Sequence, residues 1–305
     1  MYKSIVDKVF LLFNHIYVEI STILCYPCNV ETQYIVKDGC RMAKKTTVIC
    51  FSNNKGGSGK STTCANVGYA LTLLGKKVLM IDGDMQLNLS LSVFSDEEVL
   101  EMAKSEKNLY YAIKNQKDLS DYIVNTPYEN LDLVPSSTLM SSVEYELFTK
   151  WQREYILKKC LSKVKESGEY DYILIDSPPT LGGWALNIFC ASDKLIIPVE
   201  ASPWGLFGIQ NLFEFIGEAK EIANDLDVMG IVITKVNERK NYFRQTVETL
   251  KEIESVYLFD SYVRIDANIE WAQDNSMPVI AYKKSSRSAN EFIELAKELD
   301  ARAAE

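Results

Sequence analysis

Short unbroken apolar runs alternate with longer mixed stretches along most of the chain. The runs Thr46–Phe51, Val78–Ile81, Leu131–Pro135, Tyr172–Ile175, Leu195–Val199 and Val228–Thr234 are rich in branched side chains and lack polar alternation. Such runs predict strands buried on both faces, as in a parallel sheet covered by helices. The stretches between them are of helix length. Ser61–Leu74 carries a helical pattern and stops at Gly75, the residue type favoured just past a helix end. Residues 96–128 and 140–169 are charged and helix-prone. Ser288–Glu305 gathers Phe292, Ile293, Leu295, Ala296 and Leu299 on one face, predicting a terminal helix. No repeat or compositional break follows Met42. Residues 42–305 therefore predict one α/β domain with a mostly parallel sheet and helices on both faces.

The first 41 residues break this pattern. Their apolar run is interrupted by Asn14, His15 and Glu19 and meets no small-residue cleavage site, so it makes a poor signal peptide. It is also too short and too polar to cross a membrane. Met42 opens MAKKTTVICF directly before the first predicted strand, so residues 1–41 are expected to be a loosely packed extension or to lie upstream of the natural start. Cys25, Cys28 and Cys40 leave a zinc or redox site as the alternative, which lacks a fourth ligand unless His15 serves.

Charge narrows the partners. At a net charge of −9 the chain does not coat nucleic acid by bulk attraction, and a DNA contact needs a local basic patch. Seven scattered cysteines form no disulfide framework and suit a reducing, cytoplasmic setting. His15 is the sole histidine. With His15 outside the folded domain, acid–base or triad chemistry built on histidine is excluded.

The chemistry concentrates in NNKGGSGKST, residues 53–62, between the first strand and the first helix. A glycine-rich turn in that context lets backbone N–H groups close around phosphate oxygens. Gly56, Gly57, Ser58 and Gly59 supply the turn, Lys60 reaches the outer phosphates, and the hydroxyls of Ser61 and Thr62 follow, with Ser61 suited to Mg²⁺. Asn54 stands where a conventional phosphate-binding loop begins with glycine, and Lys55 is an additional cation within the loop. Asp82, Asp84 and Asp176 end apolar strands, which brings all three to the edge of the sheet where ligands bind. A strand-end carboxylate beside such a loop holds Mg²⁺, and since one carboxylate suffices there, Ser61 and a strand-end acid such as Asp176 are the expected metal residues.

With these residues assembled, the chain resembles the deviant Walker-type ATPases of the ParA/MinD class, and within it the ParA/Soj partition proteins. Lys55–Ser61 meets the pattern K-G-G-x-G-K-[ST]. Asp82, Asp84, Gln86 and Asn88 meet D-x-D-P-Q-G-N, with Met85 and Leu87 in place of its Pro and Gly. DYILIDSPPTLGGWALN, LIIPVEASPWGLFGIQNL, ITKVNERKN and the segment from Val263 to Leu299 continue the likeness. It implies a P-loop NTPase-like fold and slow, partner-stimulated hydrolysis of ATP with Mg²⁺. Lys55, Lys60 and Asp84 would be catalytic. Lys55 would act across an ATP-sandwiched homodimer, Asp84 on the attacking water, and Asp82 would support Mg²⁺ as a third metal residue beside Ser61 and Asp176. Thr234 and Asn237 are the expected neighbours of the adenine. A ParB-like adaptor and non-specific DNA are the implied partners, which places the protein on the nucleoid.

The C-terminal helix is acidic on its polar face, unlike the basic membrane-docking helix of MinD relatives, so no membrane contact is expected. Candidate DNA contacts are Lys235, Arg239, Lys240, Arg244, Lys251, Lys283, Lys284 and Arg287. The alternative reading is a nucleotide-switched module that positions a protein cargo without binding DNA. A kinase or amide-forming ligase on the same fold is a third, for which the sequence offers no second-substrate pocket.

Overall fold

Every apolar run forms a strand in the computed structural model, which describes residues 45–202, 208–223, 225–253 and 256–304. The extension expected at residues 1–41, with His15, Cys25, Cys28 and Cys40, lies outside the described residues. The strands are β1 (Thr47–Phe51), β2 (Val78–Asp82), β3 (Val124–Asn125), β4 (Leu131–Val134), β5 (Tyr172–Asp176), β6 (Lys194–Glu200) and β7 (Asp227–Thr234). They form one sheet in the order β3-β4-β2-β5-β1-β6-β7. All pairs are parallel except β3 with β4. The two-residue β3 is the one strand that the hydrophobic pattern does not predict, being too short to show a period.

The helices are α1 (Lys60–Leu73), α2 (Asp96–Lys104), α3 (Leu109–Asn115), α4 (Val143–Phe148), α5 (Ile156–Glu166), α6 (Gly183–Ala191), α7 (Ile209–Lys220), α8 (Asn241–Lys251), α9 (Ala267–Asp274), α10 (Val279–Tyr282) and α11 (Arg287–Ala303). Because side chains of a strand alternate in direction, β1 sends Val48 and Cys50 to one apolar layer and Ile49 and Phe51 to the other. The first layer is completed by residues of α3 to α7, the second by α1, α2 and α9 to α11. Both faces are thereby covered, which is why the strands read as continuous apolar runs. Gly75 takes a left-handed φ of 81° and ends α1 as its position in the sequence predicts. Ser95 and Glu98 cap the start of α2 reciprocally.

Strand register fixes the site. Phe51, the last residue of β1, stands opposite Asp176, and Asp176 stands opposite Asp82. Glu200 stands opposite Thr234 on the other side of β1. The carboxyl ends of five strands are thus brought to one edge around the turn that leaves β1.

Candidate functional site: a phosphate cradle over buried carboxylates

The turn between β1 and α1 is shaped by Gly57 and Gly59, whose φ values of 75° and 88° are left-handed. At Gly59 a Cβ would meet the Thr234 side chain at 3.4 Å, an ordinary contact, so it is the backbone conformation that calls for glycine there. Thr234 donates its hydroxyl to the Ser58 carbonyl at 2.8 Å and pins the back of the turn. Asn53 braces the front, donating to the Pro198 carbonyl and accepting from the Lys55 N–H. The turn is held open by its own neighbours, with Gly56 and Gly57 facing solvent.

Beneath it lie the acids. Asp82, Asp84 and Asp176 are all buried. Asp82 is occupied within the chain: one oxygen accepts the Ser90 hydroxyl at 2.6 Å and the Ser90 N–H at 2.9 Å, and the other accepts the Asp84 N–H. Burial nevertheless raises its pKa to about 6. Asp176 is its opposite. Both of its oxygens are sealed from solvent with no hydrogen-bond partner. Burial and the neighbouring Asp82 push its pKa well up, while Ser61 and Lys60 lie near enough to temper the rise. Asp84 lies at the rim, accepts the Gln86 N–H, and is raised by burial against the pull of Lys60. Lys60 is lowered by burial and supported by Asp176 and Asp84. An unpartnered buried carboxylate is costly and becomes favourable when a cation meets it.

That imbalance is the fit for a metal-bound phosphate ligand. The Ser61 hydroxyl and the Asp176 oxygens would suit a hard cation, and the glycine turn would accept phosphate oxygens. Among the described residues no three His, Cys, Asp or Glu side chains form a metal cage. Mg²⁺ does not need one, since it keeps water and ligand oxygens in its shell. Asp82, with its oxygens engaged by Ser90 and Asp84, can only support such an ion from behind.

Lys55 points away from this cradle. Its ammonium pairs with Glu200 at 2.6 Å and donates to the Ser202 hydroxyl at 3.2 Å. Leu87 keeps a left-handed φ of 62° where the family pattern carries glycine. It is also buried within the second apolar layer. Burying a leucine contributes about 2 kcal/mol, enough to offset the cost of about 1–2 kcal/mol for that backbone state.

The cleft above the cradle has a volume of about 980 Å³. Thr234 and Lys235 line it, but Asn237 does not. The Asn237 side chain accepts the Arg239 N–H within its own turn. The wall facing the cradle is made instead by Val263, Arg264, Ile265, Asp266, Ile269 and Gln273. Val236 donates its N–H to the Val263 carbonyl and so draws this segment alongside β7. Gln273 donates to the Thr62 hydroxyl at 2.9 Å and ties α9 to the cradle helix. Nothing local marks these residues as site residues; only the apolar spacing of Val263, Ile265 and Ile269 hints at a wall.

The basic residues proposed from sequence divide in two. Arg239, Lys240, Arg244 and Lys251 are exposed on α8 and the turn before it, and Lys235, Lys283, Lys284 and Arg287 are exposed elsewhere. Arg287 is already engaged by Glu291 and the Ile265 carbonyl.

The sequence profile of an AAA domain matches residues 46–228. The chain is 33% identical over 255 residues to the sporulation initiation inhibitor protein Soj of Bacillus subtilis (strain 168), covering 83% of this chain and 98% of Soj. Its fold matches cobyrinic acid a,c-diamide synthase of Mycobacterium smegmatis, solved with an ATP analog and magnesium. That match has a TM-score of 0.72 at 25% identity and covers 83% of this chain and 93% of the synthase chain. It also matches the septum site-determining protein MinD of Pyrococcus horikoshii OT3 in complex with Mg-ADP. There the TM-score is 0.66 at 25% identity, over 85% of this chain and 97% of the MinD chain.

Proposed function

The chain belongs to the AAA-domain family of ParA/MinD-type partition ATPases that includes Soj, and on that premise we propose that it is a Mg²⁺-dependent ATPase that pairs on binding ATP. As a dimer it binds DNA without sequence preference, works on the nucleoid with a ParB-like adaptor, and segregates a plasmid or similar mobile element.

The observation that carries this reading is Asp176: a buried carboxylate without a partner, in register with Asp82 and directly under Lys60 and Ser61. When bound, Mg²⁺·ATP supplies the electrophilic terminal phosphoryl group and neutralises the charge between its phosphates. The chain's residues do the rest. Backbone N–H groups of Gly56 to Ser61 hold phosphate oxygens, and the Lys60 ammonium sets the outer phosphates. Ser61 and Asp176 hold the metal, and Asp82 keeps the strand end in place. Asp84, at the rim, accepts a hydrogen bond from the attacking water and orients it. The apolar side chains of Val263, Ile265 and Ile269 offer a surface for the base, with Thr234 holding the turn beneath. Lys55 leaves Glu200 on dimerisation and places its ammonium on the partner's phosphates, a cation supplied in trans. Turnover is slow because, among the described residues, the cleft offers no general base beyond a carboxylate. Exposed Arg239, Lys240, Arg244 and Lys251 form the phosphate-binding strip for DNA.

The test compares wild type, Lys60→Ala and Asp84→Ala for nucleotide binding, ATP-dependent dimers, random-duplex binding and phosphate release. Lys60→Ala should lose nucleotide binding or turnover. Asp84→Ala should keep ATP-dependent dimers and DNA binding while hydrolysis stops. Equal turnover in Asp84→Ala removes its assignment, and wild-type dimers that ignore random duplex favour a cargo-positioning module.

A further inference from the structure

Trp184 lies outside the nucleotide cleft, yet it touches the backbone between two of its acids. It is the second residue of α6 and is 3% exposed. Its indole N–H donates to the Gly83 carbonyl at 2.9 Å. Gly83 is the residue between Asp82 and Asp84, and its own N–H donates to the Asp176 carbonyl at 3.0 Å. A Cβ at Gly83 would lie 2.6 Å from that carbonyl, so the two strand ends touch backbone to backbone. One residue, Gly83, therefore joins all three acids, and Trp184 holds its carbonyl oxygen.

The tryptophan is itself fixed from the other side. Glu144 of α4 accepts the Trp184 backbone N–H at 3.0 Å and so caps the start of α6, whose N-cap residue Gly182 has no side chain to do it. Carboxylate oxygens of Glu144 would lie 2.8 Å from a Cβ at either Gly182 or Gly183, which shows how closely it is seated. Asn187, one turn on, donates to the Gly183 carbonyl and accepts from the Leu157 N–H of α5. The indole is thus clamped at its helix and bonded at its tip.

We propose that Trp184 is a positioning residue for hydrolysis: through the Gly83 carbonyl it fixes the turn that aims Asp84 at the attacking water, and Glu144 sets Trp184 in turn. The proposal rests on the ATPase reading above. Losing one buried hydrogen bond that matters only for aim should lower kcat about tenfold and leave KM nearly unchanged.

The experiment uses the full chain with Mg²⁺·ATP and compares wild type, Trp184→Phe and Glu144→Ala. It records kcat, KM for ATP, folded fraction and hydrogen exchange of the amides from Gly83 to Gln86. Trp184→Phe should lose about tenfold in kcat with KM within about twofold, and the Gly83–Gln86 amides should exchange about tenfold faster. Glu144→Ala, at an exposed position that tolerates change, should lose about two- to threefold in kcat in the same pattern, and it decides the matter if Trp184→Phe does not fold. Unchanged kcat and unchanged exchange overturn the proposal. So does a loss of rate that only tracks the folded fraction. If wild type hydrolyses no ATP, the ATPase reading fails and the role in hydrolysis falls with it, while the exchange comparison decides separately whether Trp184 fixes the Gly83 turn.

Discussion

The wall of the cleft that meets phosphate is built from backbone, whereas the wall facing it is built from side chains. Residues 53–62 are held by glycine conformations, by the Thr234 hydroxyl on the Ser58 carbonyl and by Asn53 on Pro198. The segment from Val263 to Gln273 comes from far along the chain and is joined to the cradle by one bond, Gln273 to Thr62, across 211 residues. A backbone wall needs a particular sequence to form, because few residues adopt its φ values. A side-chain wall needs only shape and polarity, which many sequences supply. The first wall is thus fixed for a phosphate chain, and the second is free to vary with what else is bound.

Asp176→Asn breaks the first wall most severely. We expect turnover to fall at least about a hundredfold and the Mg²⁺·nucleotide-induced rise in thermal midpoint to vanish. The midpoint of the ligand-free protein should hold or rise by about 2–4 °C, since an unpartnered buried acid is removed. A ligand-free protein that melts earlier would contradict the reading of Asp176 as a site held for a cation.

The pH dependence of stability sharpens the same point. Burial raises the Asp82 pKa to about 6 in the folded protein. A carboxyl with a raised folded pKa favours folding fully below its unfolded value near 4, and that advantage is lost as pH climbs through about 6. Ligand-free wild type should therefore lose on the order of 2–3 kcal/mol relative to Asp82→Asn between about pH 4 and pH 6.5. Denaturant midpoints of the two proteins across that range give the difference. Parallel curves would mean that Asp82 is not held in its neutral form.

The facing wall should respond least. Gln273→Ala removes one exposed hydrogen bond to Thr62, so KM for ATP should rise about two- to fivefold with kcat nearly unchanged. A loss of kcat as large as that of Asp176→Asn would show that the two walls are not independent.

The same division explains what could be read in the sequence. The cradle, Lys60, Ser61 and the strand-end acids were legible because their chemistry is local: a strand, a glycine turn and a helix in succession. The buried strands were legible as apolar runs, and Gly75 and the α11 stripe gave helix limits within a residue or two. The two-residue β3 carried no period. The hydrogen bond from the Arg239 N–H to the Asn237 side chain follows a turn preference that acts within three residues. Gln273, Trp184 and the hold of Ser90 on Asp82 depend on approach of distant or differently oriented segments. Their sequence neighbourhoods look like ordinary helix and loop.

The central claim is that two copies trap a pair of triphosphates and exchange Lys55 between them. A crystal structure grown with Mg²⁺ and a non-hydrolysable ATP analogue tests it most directly. The account predicts a face-to-face dimer in which each Lys55 ammonium has left Glu200 and contacts the other copy's phosphates. A nucleotide-filled single copy, with Lys55 still paired to Glu200, would contradict it.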